Sequence, residues 1–483
     1  MVKEEATPLL TKSEENDELE VSEGAFWAEF KRVGSMAAPM VTVTVSQYLL
    51  QVVSLMMVGH IGILASFSGV ALAVSFAECS GFCVLIRMAG ALETLCGQTY
   101  GAQEFSKIGN YTCSAMITLI LVCFPISLMW IFMDKLLMLF GQDTEISHVA
   151  REYCICLIPA LFGHAVLQSL IRYFQIQSMI FPMVFSSIVI LCLHIPICWC
   201  LVFKLGLGHV GAAFAIGIAY WLNVIWLGIY MNYSPECEKT KIVFSYNAIL
   251  CITEFCQFAI PSGLMFCLEW WSFEILTIVA GLLPNSQLET SVLSVCLSTT
   301  TLHYFIPHAI GASASTRVSN ELGAGNPRAA KGAVRVVVVI GIAEAVIVST
   351  LFLCLRNVIG NAYSNDKEVV DYVTDMVPLL CVSVSADSII CALSGIARGG
   401  GFQTIGAYVN LGAYYIVGAP IALLLGFGLK LNAKGLWMGT LTGSILNVII
   451  LAVVTVLTDW QKEATKARER IAEKSIKAHD GSV

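Results

Sequence analysis

Glu269 and Asp387 are the residues of this chain best placed to do chemistry. Each is an acid in the middle of a long apolar run, Glu269 in Cys267-Leu-Glu-Trp-Trp-Ser-Phe-Glu274 and Asp387 in Ser383-Val-Ser-Ala-Asp-Ser-Ile-Ile390. An ionisable side chain at the centre of a bilayer-length segment costs about 2.5–3.5 kcal/mol on insertion scales, so it marks a cavity, a partner or a transport path. Around Asp387, Ser383, Cys391, Ser394 and Arg398 recur at three- and four-residue steps and form one polar stripe on a helix. Arg398 lies too far along that helix to pair with Asp387. Ser262 stands seven residues before Glu269 on the same face, whereas Glu274, five residues after it, is about 140° around the helix. Desolvation and a second nearby acid both favour the neutral form of a carboxyl, so such a group can exchange a proton near neutral pH or, as a carboxylate, balance an organic cation. One site that takes either a proton or a cation is the basis of antiport.

Other polar residues within apolar runs complete the inventory. Ser294, Ser298 and Thr301 form a hydroxyl stripe that suits cavity lining and helix packing equally. Trp270, Trp271, Tyr304 and Tyr414 offer aromatic faces to a cation. Glu78 and Arg87 are nine residues apart, close to 180° around a helix, and are not expected to pair. Glu93 and Glu344 belong near span ends or at helix contacts. The eight histidines show no HxxxH or HExxH spacing, and no Gly-rich loop precedes a Lys-Ser/Thr. Eighteen cysteines without paired CxxC spacing read as small apolar fillers. A metal, a cofactor, a nucleic-acid partner and an enzymatic nucleophile are therefore not expected.

The elements that hold these residues are transmembrane helices. Of 483 residues 57% are hydrophobic and 13% charged, about half the charged share of a soluble protein. Apolar blocks of bilayer length cover 35–58, 67–92, 112–133, 151–174, 180–203, 210–232, 255–283, 289–313, 333–354, 373–397, 404–427 and 435–458. Chains in lipid must satisfy their backbone internally, so each block reads as a helix, twelve in all. The chain also repeats itself. Leu222-Asn-Val-Ile225 returns as Leu446-Asn-Val-Ile449, Pro196 falls on Pro420, and nearer the front Pro39 falls on Pro261. Six spans per copy give two lobes related by an axis along the membrane normal. At this offset Glu269 lies opposite Gln47 and Asp387 opposite Gly163, so buried acids are expected in the second copy only. The matching stripe of the first copy is the uncharged Gln47, Gln51 and Ser54.

Nineteen Lys and Arg residues fall on the side of the termini and seven on the other, which places both termini in the cytosol. The expected organisation is a tail with an amphipathic lead-in (1–34), a first lobe (35–233), a linker with its own lead-in (234–254), a second lobe (255–458) and a solvated, mixed-charge C-terminal helix (459–483). Gly399-Gly-Gly401 reads as a tight turn. Gly435, Gly439 and Gly443, matched by Gly211, Ala215 and Ala219, let helices approach closely. Packing inside the chain is preferred over dimerisation, and a monomer in the bilayer is expected.

Ala91-Leu-Glu-Thr-Leu-Cys-Gly-Gln-Thr-Tyr-Gly-Ala102 and Ala314-Ser-Thr-Arg-Val-Ser-Asn-Glu-Leu-Gly-Ala-Gly-Asn-Pro327 stand at equivalent places in the two copies. They resemble signature loops of the multidrug and toxic compound extrusion (MATE) family, in its plant branch. Pro39 and the Glu269-Trp-Trp-Ser-Phe-Glu274 stretch are similar to that branch too, and the likeness runs over about residues 28–460. It implies a two-lobed secondary transporter that exports organic cations or secondary metabolites in exchange for protons or sodium. By local sequence Glu269 and Asp387 match the acids to which proton coupling is ascribed in the plant branch. The N-lobe Asp of some bacterial members has no counterpart, the first span offering Gln47. Glu5-Ala-Thr-Pro-Leu-Leu10 resembles an acidic dileucine signal, which suits a vacuolar membrane and leaves the plasma membrane open. The expected function is proton-coupled export of a small organic, cationic or amphipathic compound. The alternatives are an organic-anion exporter or a lipid-linked precursor flippase, against which the acidic centre argues.

Overall fold

The computed structural model describes residues 9–139, 141–242 and 245–480, with side chains over 24–63, 66–139, 141–242 and 245–472. The Glu5–Leu10 motif lies outside the residues so described. Twelve long helices make up the body: α1 Leu9–Gly59, α2 Ser66–Gly101, α3 Phe105–Ile131, α4 Thr144–Ile176, α5 Ile180–Lys204, α6 Gly208–Tyr233, α7 Ile252–Ala280, α8 Ser286–Gly323, α9 Pro327–Cys354, α10 Lys367–Gly400, α11 Gln403–Gly428 and α12 Asn432–Leu457. Eleven of them are long and apolar enough to cross a membrane. The exception is α8, which carries His303, His308, Arg317 and a run of threonines. Its polar side chains are tolerated because it packs against α1, α2, α9 and α10 rather than against lipid.

The duplication reappears in backbone detail. Pro39 and Pro261 both lie inside their helices, α1 and α7. A π-helical turn closes α5 at Cys200–Lys204 and another closes α11 at Leu424–Gly428, again 224 residues apart. One hydrophobic core gathers residues from Met36 to Phe255 and Ala259, chiefly the first six helices; another, around Val292, Met376 and Trp437, belongs to the last six, and a third, around Leu322 and Val337, also takes in Val33 and Ala37 of α1. Gly435 and Gly439 bring α12 against the backbone of α11, so the small-residue row packs within the chain.

Several helices outrun their apolar blocks. The stretches expected as signature loops are the last turns of α2 and α8, and they cross each other between the lobes. The crossing is backbone on backbone: a Cβ on Gly101 would meet the carbonyl of Asn320, and one on Gly323 the carbonyl of Gln98. Glycine at both places is what permits the approach. Gly399 and Gly400 are likewise helical, and only Gly401, at φ +83°, turns the chain. The C-terminal helix is present as expected but solvated on one face only. Helix α13 (Trp460–Asp480) docks on the terminal side, burying Ala464, Ala467 and Ile471. There the Arg470 guanidinium donates to Gln98 Oε1 at 2.7 Å and sits 4.7 Å over the Phe258 ring, and the Arg468 guanidinium donates to the Ala324 carbonyl at 2.8 Å.

Candidate functional site

Two adjoining cavities open between the lobes. The first, about 630 Å³ of empty space, has Glu269, Glu274 and Asp387 in its wall, together with Phe266 and Phe273. The second, about 910 Å³, is walled on the first-lobe side by Gln47, Tyr48, Gln51, Glu78 and Gln168. Arg87, Trp270, Thr301 and Tyr304 border both, so the two form one chamber with a shared partition.

Helix geometry explains the first wall. Glu269 and Trp270 lie three and four residues after Phe266 on α7 and four and three before Phe273, so the four share a face, and Glu274 is one turn beyond Trp270. The cavity wraps far enough around α7 for both glutamates to border it despite their angular separation. Asp387 faces them from α10. Glu269 and Asp387 are each 8% exposed, and among the described residues neither forms an ion pair. A pair of acids held in protein without a basic partner is expensive unless protons or a cationic ligand neutralise it.

Other expected residues divide between lining and packing. Gln47, Gln51, Thr301 and Tyr304 line the chamber. Ser262 does not: its hydroxyl donates to the Arg87 carbonyl at 2.9 Å and ties α7 to α2. Ser383 accepts from Trp437 Nε1 at 2.9 Å and is likewise packing. Cys391 and Ser394 are buried on α10 beyond the lining. Ser294 and Ser298 are exposed and border neither cavity. Ser54 bonds His194 on α5 at 3.1 Å. Of the aromatics, Trp270 and Tyr304 line the chamber, Trp271 donates to the Cys79 carbonyl at 3.3 Å, and Tyr414 is buried against Ser444.

The expectation that only the second copy holds buried acids is wrong. Glu78 on α2 lines the first-lobe cavity, where its carboxylate accepts from Gln51 Nε2 at 2.9 Å. The angular argument that put Glu78 and Arg87 on opposite faces assumed a regular α-helix. A π-helical turn at Glu78–Phe82 widens the helix there and re-registers the side chains after it, so both residues reach the same cavity without pairing. Glu93, also in the first lobe, is buried more deeply, 1% exposed. Its Oε1 pairs with Arg172 Nη1 of α4 at 2.8 Å and its Oε2 with Arg398 Nε of α10 at 2.7 Å, which joins the lobes beneath the chamber. Gln175 completes that layer, accepting from Arg172 at 2.5 Å and donating to the Ala312 carbonyl at 3.0 Å. Glu344 sits where expected, at a helix contact, bonded to His303 of α8 at 2.8 Å and to Ser388 of α10.

Twelve helices in two repeats around a polar interlobe chamber define a membrane transporter. The sequence model of the MatE family matches residues 39–200 and 261–424, the two segments lying 222 residues apart at their starts and 224 at their ends. Protein DETOXIFICATION 9 of Arabidopsis thaliana is 50% identical over 480 residues, 99% of either chain. Protein DETOXIFICATION 14 of the same plant is 51% identical over 446 residues, 92% of either chain. The crystal structure of the eukaryotic MATE transporter AtDTX14 superposes with a TM-score of 0.90 over 92% of this chain and 100% of its own, at 50% identity. The chain belongs to the MATE family, in its plant detoxification-type branch.

Proposed function

We propose that this transporter is a proton-coupled antiporter that exports organic cations or amphipathic compounds from the cytosol by alternating access. The observation that carries the reading is the convergence of Glu269 and Asp387 on one cavity, each without an ion-pair partner. A carboxylate pair there holds a cation against the aromatic side chains of Trp270 and Tyr304. Protonation from the far side removes the negative charge and releases the cargo; loss of the proton to the cytosol resets the site. The excess of Lys and Arg on the terminal side supports cytosolic termini, and the chamber then opens alternately to the cytosol and to the cell exterior or vacuole lumen.

The test is flux of a fluorescent organic cation into liposomes bearing the purified protein under an imposed pH gradient. Glu269→Gln and Asp387→Asn are each expected to cut gradient-driven flux at least about tenfold, the scale of one lost charge-assisted contact. Flux that survives both substitutions in monodisperse protein sinks the assignment.

A further inference from the structure

The proposed exchange assigns no step to Arg87, which stands at the partition of the chamber and borders both cavities. Its guanidinium lies 4.3 Å from the centre of the Phe266 ring, a cation–π contact. One nitrogen donates to Tyr304 Oη at 3.1 Å, while Nε has no hydrogen-bond partner. Among the described residues Arg87 forms no ion pair, despite the four acids of the chamber.

Its neighbours in the second cavity share this deficit. Gln47 Nε2, Arg172 Nε and the Nδ1 of His308 are buried and unpartnered, and all three residues line that cavity with Arg87. Arg172 is 4% exposed and already engaged by Glu93 through another nitrogen. Amide and guanidinium N–H groups donate only, and leaving them unpaired in protein is unfavourable. A group of donors around one cavity matches a ligand rich in acceptors. Acids border this space too, but none of them pairs with Arg87. Glu78 borders the same cavity nine residues earlier on α2, about 13 Å along a helix axis at 1.5 Å per residue, and is held there by Gln51. Glu269, Glu274 and Asp387 border the adjoining cavity. The chamber therefore holds unpaired acids and unpaired donors in one space.

We propose that Arg87 is the group that binds the carboxylate of a substrate carrying both an organic cation and a carboxylate, while the acids of the chamber hold its cation. This deepens the antiport reading and rests on its placing of the substrate in the chamber. The planar guanidinium fork matches a carboxylate in two parallel hydrogen bonds, which neither lysine nor a neutral side chain reproduces. Gln47 supplies a further donor in the same cavity.

The experiment compares two dyes that share one xanthylium cation: rhodamine 110, with a free carboxylate, and rhodamine 123, its methyl ester. Binding is read by fluorescence polarisation on the full-length protein in lipid nanodiscs with no gradient. The parent protein is expected to bind the acid about ten- to a hundredfold more tightly than the ester, the range for a hydrogen bond to a charged group. Arg87→Met is expected to bring that ratio close to one, and Arg87→Lys to leave an intermediate value. Should Arg87→Met fail to assemble, judged by elution profile and unfolding temperature, Arg87→Gln carries the same ratio test. Equal binding of the two dyes by the parent, no binding of either, or a ratio that survives the loss of Arg87 overturns the proposal. Gradient-driven flux of the same dyes separates the two readings: a dye that binds with the expected ratio but is not driven by the gradient refutes proton antiport and leaves the carboxylate site standing.

Discussion

Replacing Glu93 by glutamine keeps the side chain's shape and removes its charge from between Arg172 and Arg398. The carboxylate oxygens lie 2.8 Å and 2.7 Å from the two guanidinium nitrogens, and all three side chains are almost fully buried. The guanidinium groups are thus held within about 7 Å of each other, where two like charges at an effective dielectric of 20 repel by roughly 2–3 kcal/mol. Adding the lost attraction brings the cost to about 3–5 kcal/mol, the usual result of removing one partner from a buried pair. At one to two degrees per kcal/mol for a chain of this length, scaled from smaller domains, the unfolding temperature should fall by about 3–10 °C. The eighteen free cysteines, most of them at least partly buried, provide the assay, since a thiol-reactive dye reports their exposure on heating. Glu29→Gln is the control. Glu29 also pairs with an arginine, Arg317, at 2.6 Å, but the pair is less deeply buried and Arg317 keeps Glu321 at 2.5 Å, so the shift should stay below about 2 °C. The double variant Glu93→Gln with Arg398→Gln should recover part of the loss by removing one orphaned charge. A Glu93→Gln protein as stable as the parent, or a double variant with the summed cost of the singles, would refute the reasoning.

Gly101→Val places a branched side chain against the Asn320 carbonyl and should abolish folded protein, whereas Gly228→Ala, with open space at its Cβ, should be neutral or raise stability by up to about 1 kcal/mol; size-exclusion yield distinguishes them. Ser383→Ala removes the acceptor of Trp437 Nε1 and should cost about 1–3 kcal/mol of stability without changing dye affinity, because Ser383 packs behind the chamber; a selective loss of affinity would return it to the lining. Ending the chain at Thr458 removes the contacts of Arg468 and Arg470 and should lower the unfolding temperature by a few degrees while leaving a monodisperse protein, which the same thiol assay checks.

The twelve spans were legible because lipid demands apolar runs of a set length, and nothing in a helix interior disguises that signal. Their ends were less so. Residues 91–101 and 314–323 look like loops because they are polar and rich in small residues, yet those features serve a tight helix crossing between lobes that only the three-dimensional arrangement reveals. Glu269 and Asp387 stood out because an acid within an apolar run is rare. Glu78 and Arg87 stood out for the same reason but resisted explanation, since one π-helical turn shifts every later side chain around the axis and no residue type announces such a turn. The Glu93 cluster was hidden for a different cause: its three charges come from α2, α4 and α10, and sequence spacing carries no information about which helix ends meet.

The two lobes differ less in whether they hold acids than in how each acid is engaged. Gln47 replaces the counterpart of Glu269, but its neighbour one turn on, Gln51, holds Glu78 from α2, so the first lobe restores a carboxylate at another point of the wall. That carboxylate is tied by a neutral donor, while Glu269 and Asp387 lack an ion-pair partner, and of the three the latter two are the groups a proton or cation changes most. Beneath them, Arg172 of the first lobe and Arg398 of the second meet on Glu93. Parting the lobes on the terminal side, as the proposed cycle requires, must separate Arg398 from Glu93 and deliver both to water. Hydration compensates an ion in a way that protein does not, so the separation costs far less in an opened, wet cleft than the same charges would cost if left apart in a closed one. The cluster therefore favours both end states, closed with the charges paired or open with them hydrated, over any half-parted arrangement. A carrier that must never be open on both sides at once gains from that bias.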